Sequence, residues 1–157
     1  MTKDVHKMVL RAEPFRSVLG FAARSPVFSM SDADLVLVID DESIVRQVAR
    51  AMLERHGFEV LVAENGHAGV DVFRSHSDRI SLIVLDLTMP VMGGEQAFDL
   101  LRAIRADVPV VLSSGYSEIE AAGRFAGKDF AGFIQKPYDV NRLIETVGSA
   151  LGLETEA

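Results

Sequence analysis

Short apolar runs alternate along this chain with longer segments in which apolar residues recur at helical spacing. A continuous apolar run is typical of a strand buried on both faces, and a spacing of three or four residues is typical of a helix with one face on the core. From Leu35 onward the pattern predicts strands at residues 35–39, 59–63, 82–85, 110–113 and 133–135, each followed by a helix. This order predicts an α/β fold, a doubly wound five-stranded parallel sheet with right-handed crossovers.

The signals for the helices differ in strength. Gly57 ends the first predicted helix, and the side chain of Asn65 is suited to cap the second. The fourth helix, at about residues 117–126, has the least support because Gly123 lies inside it, and an interior glycine costs about 1 kcal/mol relative to alanine. We expect it to be the most mobile element. The last helix is predicted at residues 139–151.

The alternation divides the chain into three parts. Residues 1–33 show no clear period, since Pro14 interrupts the apolar spacing, so we interpret them as an N-terminal leader or linker that is flexible. Residues 34–151 form the predicted domain, and residues 152–157 a polar C-terminal tail. A secretory signal is an alternative for the leader, but its apolar stretch is very short and contains Gly20.

Composition and charge exclude several classes of protein. No uninterrupted apolar stretch approaches the roughly 20 residues of a membrane helix, so we expect no membrane partner. The absence of cysteine excludes disulfides and thiolate metal sites, and it fits a cytoplasmic location. The net charge is -7, and because the first 30 residues carry five basic and two acidic side chains, the remainder carries -10. Such an acidic domain argues against nucleic acid as a partner.

Polar residues follow the apolar strands where each predicted strand ends. Asp40 and Asp41 follow the first strand, Asp86 the third, Ser114 the fourth and Lys136 the fifth. The carboxyl ends of parallel strands share one edge of the sheet, so these residues are predicted to meet in one crevice. Three carboxylates at ~4 Å repel by about 4 kcal/mol per pair at an effective dielectric of ~20, and Mg²⁺ would relieve this. Helix capping is the alternative role for the first two acids.

Four segments carry a resemblance to a known family. In chain order they are LVLVIDDE, LIVLDLTMPVMGG, PVVLSSGY and FIQKP. With these separations, residues 34–151 resemble the receiver domain of two-component response regulators. The resemblance implies a flavodoxin-like (βα)5 fold in which the five strands lie in the order 2-1-3-4-5.

The resemblance also implies roles for the acids. Asp86 is then the phosphoacceptor, a carboxylate nucleophile that forms an acyl phosphate. Asp41 and Asp86 are Mg²⁺ ligands together with the backbone carbonyl of Thr88, and Asp40 acts mostly through water.

Further roles concern the phosphoryl group and the response to it. Ser114, Lys136 and the backbone of Gly115 are implied to bind the phosphoryl group, with Ser113 as the rival of Ser114. Ser114 and Phe133 are the implied switch residues, although simple packing at the sheet edge is the alternative for Phe133. The family has a cis peptide bond before the proline at the position of Pro137.

The implied function is a phosphorylation-dependent switch rather than an enzyme. A sensor histidine kinase or histidine phosphotransfer protein would supply the phosphoryl group. The surface formed by the fourth helix, fifth strand and fifth helix would then change its affinity for a downstream protein. We expect a monomer or weak dimer that catalyses only its own phosphorylation and dephosphorylation. The chain ends soon after the last predicted helix, so the output is expected to come from a separate partner or from a larger protein of which this chain is a fragment.

Several alternatives stay open from the sequence alone. The chain could be a phosphorylation-independent interaction module, or the detached receiver of a hybrid sensor histidine kinase. A phosphohydrolase of the haloacid-dehalogenase type places a second Asp two residues after its nucleophile, where this chain has Thr88. A flavodoxin cradles phosphate after its first strand, where Asp40, Asp41 and Glu42 would repel it.

Overall fold

The apolar runs of the sequence form the strands of a parallel sheet in a computed structural model, which describes residues 27–28, 33–153 and 155–156. Its strands are β1 (Val27–Phe28), β2 (Leu35–Ile39), β3 (Glu59–Ala63), β4 (Ile80–Asp86), β5 (Val110–Ser114), β6 (Gly132–Gln135) and β7 (Thr155–Glu156). Its helices are α1 (Ser43–Arg55), α2 (Gly66–Ser75), α3 (Gly94–Ile104), α4 (Glu118–Arg124) and α5 (Val140–Ala150). Most of the predicted leader lies outside the described residues.

The topology is that of a doubly wound sheet. Five parallel strands lie in the order β3-β2-β4-β5-β6, which confirms the predicted fold class and strand order. A second, two-stranded sheet joins β1 to β7 in antiparallel orientation. Part of the predicted leader therefore pairs with part of the predicted tail.

Two apolar layers cover the sheet, because successive side chains of a strand point to opposite faces. Leu37 and Ile39 of β2 belong to the layer that contains the buried side chains of α2 and α3. Val36 and Val38 belong to the other layer, with the buried side chains of α1 and α5. Both faces of the central strands are thus buried, as the continuous apolar runs predicted.

Local signals set the helix ends. Asn65 caps α2, since its side-chain oxygen accepts a hydrogen bond from the Ala68 N–H at 2.8 Å.

Helix α4 has seven residues and is shorter than predicted. Ser117 is its N-cap and forms a reciprocal pair of bonds with Glu120, while Phe125 leaves the helix and packs edge-on against Phe98 at 5.5 Å. Within the described residues, no helix is long and apolar enough to cross a bilayer.

The strand register determines which polar residues meet at the carboxyl edge. Ile39 pairs with Leu85, so the next residues, Asp40 and Asp86, lie at the ends of neighbouring strands. Asp86 in turn pairs with Ser113 of β5. The sheet therefore brings the predicted acids to one edge.

Candidate functional site

The three predicted acids form a cluster at the end of the sheet. One carboxylate oxygen of each of Asp40, Asp41 and Asp86 lies within 4.8 Å of the others. Asp40 and Asp86 are 1% and 2% exposed, whereas Asp41 is open to solvent. Helix α1 has Glu42 as its N-cap, with no side-chain capping bond, so neither Asp40 nor Asp41 is the residue that caps it. The cluster thus consists of two buried carboxylates, Asp40 and Asp86, and one exposed carboxylate, Asp41.

The two carboxylate oxygens of Asp86 have different surroundings. Oδ1 accepts a hydrogen bond from the Thr88 N–H at 3.1 Å. Oδ2 is buried and accepts no hydrogen bond, and the Lys136 ammonium lies 3.4 Å from it. Burial raises the pKa of Asp86 to about 7, and the charge of Asp40 adds to the rise, against the lowering effects of the Thr88 N–H and Lys136. The Thr88 N–H and the Lys136 ammonium therefore compensate only part of the cost of burying the anionic form of Asp86.

Lys136 is the cation of the site. Its Nζ lies 2.7 Å from Asp40 Oδ2, 3.2 Å from Glu42 Oε1 and 3.4 Å from Asp86 Oδ2. Burial alone would lower the pKa of Lys136, but the close ion pair with Asp40 and the charge of Asp86 outweigh it and raise the pKa. Its backbone N–H donates to the Ser114 carbonyl at 2.8 Å, which fixes the end of β6 beside β5. One ammonium is thus shared among three carboxylates.

The two rival serines of β5 have different surroundings. Both are fully buried. The Ser114 hydroxyl oxygen accepts a hydrogen bond from the Tyr116 N–H at 3.0 Å, at the start of the loop that follows β5. Ser113 Oγ lies 2.6 Å from the Tyr138 hydroxyl. Because neighbouring residues of a strand point to opposite faces, the two hydroxyls serve different sides of the sheet.

A cavity of about 730 Å³ opens beside the acids. Thr88 and Gly115 line it together with Asp41, Asp86 and Lys136. A Cβ atom at Gly115 would meet no heavy atom within 4 Å, so this backbone borders open space. The site is accessible to a ligand of phosphoryl size.

Phe133 lies outside the acid cluster. It is buried in the apolar layer that also contains Phe98 and Phe125. It also borders a smaller cavity of about 240 Å³ between the start of α4 and the start of α5. The Lys136–Pro137 peptide bond is cis.

The comparison with protein families identifies the domain. The sequence profile of the response regulator receiver domain matches residues 36–148. The chain belongs to this family. As a receiver domain it is a signalling domain of two-component systems. Membership in this family replaces the phosphohydrolase and flavodoxin alternatives.

Relatives of this receiver differ in length. The chemotaxis protein CheY of Bacillus subtilis is 31% identical over 123 residues, which cover 76% of this chain and 98% of CheY. The autoinducer 1 sensor kinase/phosphatase LuxN of Vibrio campbellii is 32% identical over 120 residues, which cover 76% of this chain and 14% of LuxN. A crystal structure of a response regulator receiver domain protein from Clostridium thermocellum has a TM-score of 0.71 and 25% identity, covering 76% of this chain and 94% of that one.

Sequence reasoning missed three contacts of the receiver site. Tyr138 bonds to Ser113, Glu42 contacts Lys136, and the Arg46 guanidinium donates to the Asp40 backbone carbonyl at 2.8 Å. Two sequence positions could have predicted contacts at the site. Tyr138 directly follows the Lys-Pro pair, and Glu42 directly follows the paired acids.

Proposed function

We propose that this receiver is a phosphoacceptor in a phosphorelay and that Asp86 is the residue that accepts the phosphoryl group. Family membership supports the phosphoacceptor role in general. Two observations carry the assignment to Asp86: its Oδ2 accepts no hydrogen bond and lies 3.4 Å from the Lys136 ammonium, and the residue borders the open cavity. A carboxylate oxygen without a hydrogen bond, beside an ammonium group, is suited to attack an electrophilic phosphorus atom.

The acid cluster fits Mg²⁺. Three carboxylates lie within 4.8 Å of one another, and a hard divalent cation prefers oxygen ligands in such a set. Asp41, Asp86 and the backbone carbonyl of Thr88 would hold the ion directly, and Asp40 mostly through water. When bound, Mg²⁺ would neutralise the carboxylates and the negative oxygens of the phosphoryl group.

The proposed reaction is one displacement at phosphorus. A carboxylate oxygen of Asp86 forms the new O–P bond while the P–N bond of a phosphohistidine breaks. The electron pair of that bond returns to the imidazole nitrogen, and because the other ring nitrogen of the donor carries a proton, neutral imidazole leaves. Lys136 compensates charge on the phosphoryl oxygens, while Ser114 Oγ and the Gly115 N–H donate hydrogen bonds to them. Positioning and charge compensation supply most of the catalysis, so the domain needs no further acid or base.

The proposed output is a shift in the population of two conformations. Phosphorylation draws Ser114 and Lys136 toward the new dianion. The side chains of Ser114 and Phe133 lie on the same face of the sheet, opposite to that of Ser113, so Phe133 responds to the movement of Ser114. The surface formed by α4, β6 and α5 then changes its affinity for a downstream protein target.

The partners follow from this chemistry. We propose a sensor histidine kinase or histidine phosphotransfer protein as the phosphoryl donor, in the cytoplasm, with the receiver as a monomer or weak dimer. Because the chain spans 98% of CheY and 14% of LuxN, both a single receiver and a receiver within a hybrid kinase are compatible with this proposal.

Intact mass spectrometry tests the acceptor. The native protein is incubated with acetyl phosphate, with and without Mg²⁺, beside Asp86→Asn and the control Asp107→Asn, which removes an exposed carboxylate from the α3–β5 loop. We expect one phosphoryl adduct in the native protein and the control, only with Mg²⁺, and none in Asp86→Asn. No adduct in the native protein, even with a cognate kinase, would instead favour the phosphorylation-independent interaction module.

A further inference from the structure

A hydrogen bond between two hydroxyl groups lies beside the strand that carries Asp86. Ser113 Oγ and the Tyr138 hydroxyl are 2.6 Å apart. Ser113 is fully buried, pairs with Asp86 in the β-ladder, and accepts the Leu87 N–H at its carbonyl at 2.9 Å. The bond therefore joins Tyr138 to the residue that flanks Asp86 in the sheet.

Tyr138 belongs to the turn that carries Lys136. The turn connects β6 to α5 and is fixed at both ends by backbone N–H groups. The Lys136 N–H donates to the Ser114 carbonyl at 2.8 Å, and the Arg142 N–H donates to Asp139 Oδ1 at 2.8 Å. Between these two points, the hydroxyl of Tyr138 fixes the turn to β5.

The bond gives the fully buried Ser113 hydroxyl a partner. Tyr138 packs against the apolar layer of α1 and α5, and it borders the main cavity together with Val45 and Val48. A hydroxyl buried in such a layer is unfavourable without a partner. Burial also raises the pKa of Tyr138 to about 12, so the phenol keeps its proton at neutral pH.

We propose that Tyr138 and Ser113 are a positioning pair for Lys136, an inference that rests on the proposed role of Asp86. Lys136 Nζ is closer to Asp40 than to Asp86, at 2.7 Å against 3.4 Å. The position of the turn therefore decides how much of the charge of Lys136 is available at the phosphoacceptor. The hydroxyl pair holds the turn in place while the ammonium moves from its carboxylate partners to the phosphoryl group.

The first test measures the rate of phosphorylation. Tyr138→Phe and Ser113→Ala each break the bond from one side and keep most of the packing. At saturating Mg²⁺ and a fixed acetyl phosphate concentration, we expect each variant to form the adduct about fivefold more slowly, the equivalent of about 1 kcal/mol in the barrier. Ser81→Ala is the matched control, since it removes another strand hydroxyl bond, to Asp34 at 2.9 Å, at the opposite end of the sheet. Its rate should equal that of the native protein.

The second test separates positioning from a merely structural role. In a Lys136→Ala background, Tyr138→Phe should slow the reaction no further, because the pair acts through the lysine. The Mg²⁺ affinity of Tyr138→Phe, measured by calorimetry, should stay native. A native rate in both variants, or an equal slowing with and without Lys136, overturns the positioning role while leaving Asp86 as the acceptor. A native protein that gives no adduct overturns the positioning role and the proposed function together.

Discussion

At the scale of single residues, the site holds more buried negative charge than one lysine compensates. Asp86 and Asp40 are both buried, and both share Lys136 with Glu42. Burial raises the pKa of Asp86 from 3.8 to about 7, so folding without metal favours its protonated form. The contribution of Asp86 to the free energy of unfolding is therefore fully present below about pH 3.8 and is lost as the pH rises through about 7.

Asp86→Asn should therefore stabilise the metal-free protein at pH 8. Removing one of three close carboxylates relieves repulsion, part of which Lys136 already cancels, so we expect a gain of about 2 kcal/mol in the free energy of unfolding. Urea denaturation in EDTA between about pH 5 and pH 8 measures it, as the difference between variant and native protein. The difference should grow with pH and shrink when Mg²⁺ is added. Parallel pH curves would contradict the assigned charge state.

Two adjacent glycines offer a matched pair of substitutions near the acceptor. A Cβ atom at Gly94 would lie 2.6 Å from the Leu87 Cα and 2.8 Å from the Asp86 carbonyl oxygen, whereas at Gly93 it would meet nothing within 4 Å. Gly94→Ala must displace backbone beside Asp86. We expect it to lower the free energy of unfolding by about 1–3 kcal/mol and to slow adduct formation. Gly93→Ala should keep both close to native values, and equal effects of the two would refute the steric argument.

At the scale of elements, the sequence predicted the strands through their apolar runs and missed those parts that are polar. Strand β4 begins at Ile80 rather than residue 82, because the buried run is interrupted by Ser81, whose hydroxyl bonds to Asp34. Strand β5 extends to Ser114 because both of its serines are buried with partners. Buried hydroxyls satisfied by distant residues leave no apolar signal in the sequence.

The proposed switch belongs to this scale because it needs α4 to respond to β6. Phe133→Leu removes the ring but keeps an apolar side chain, so the phosphoryl adduct should form as in the native protein. We expect the change in hydrogen exchange of α4 on phosphorylation to fall to less than half of the native change. Phe58→Leu, in the opposite apolar layer, is the control and should keep the native response. An undiminished response in Phe133→Leu would favour simple packing as the role of this ring.

At the scale of the whole molecule, strand ends made the site predictable. The carboxyl ends of parallel strands lie at one edge of the sheet, so Asp40, Asp86 and Lys136 converge there through the strands alone, without a contribution from loop geometry. The contacts that depend on loop and turn geometry were not predictable in this way. Tyr138 and Ser113 are 25 residues apart, and Glu42 and Lys136 are 94 apart, so no local pattern links them.

The short antiparallel pairing of β1 with β7 has a consequence for how this domain is joined to other polypeptide. Strand β2 starts, and helix α5 ends, at the edge of the sheet opposite to the acids, since each helix runs back against its strand. The ladder β1–β7 ties together the two flanks that leave from there. A fluorescent protein or an immobilisation tag at either flank would thus be attached through the paired strands β1 and β7 and not through a loop of the reactive edge.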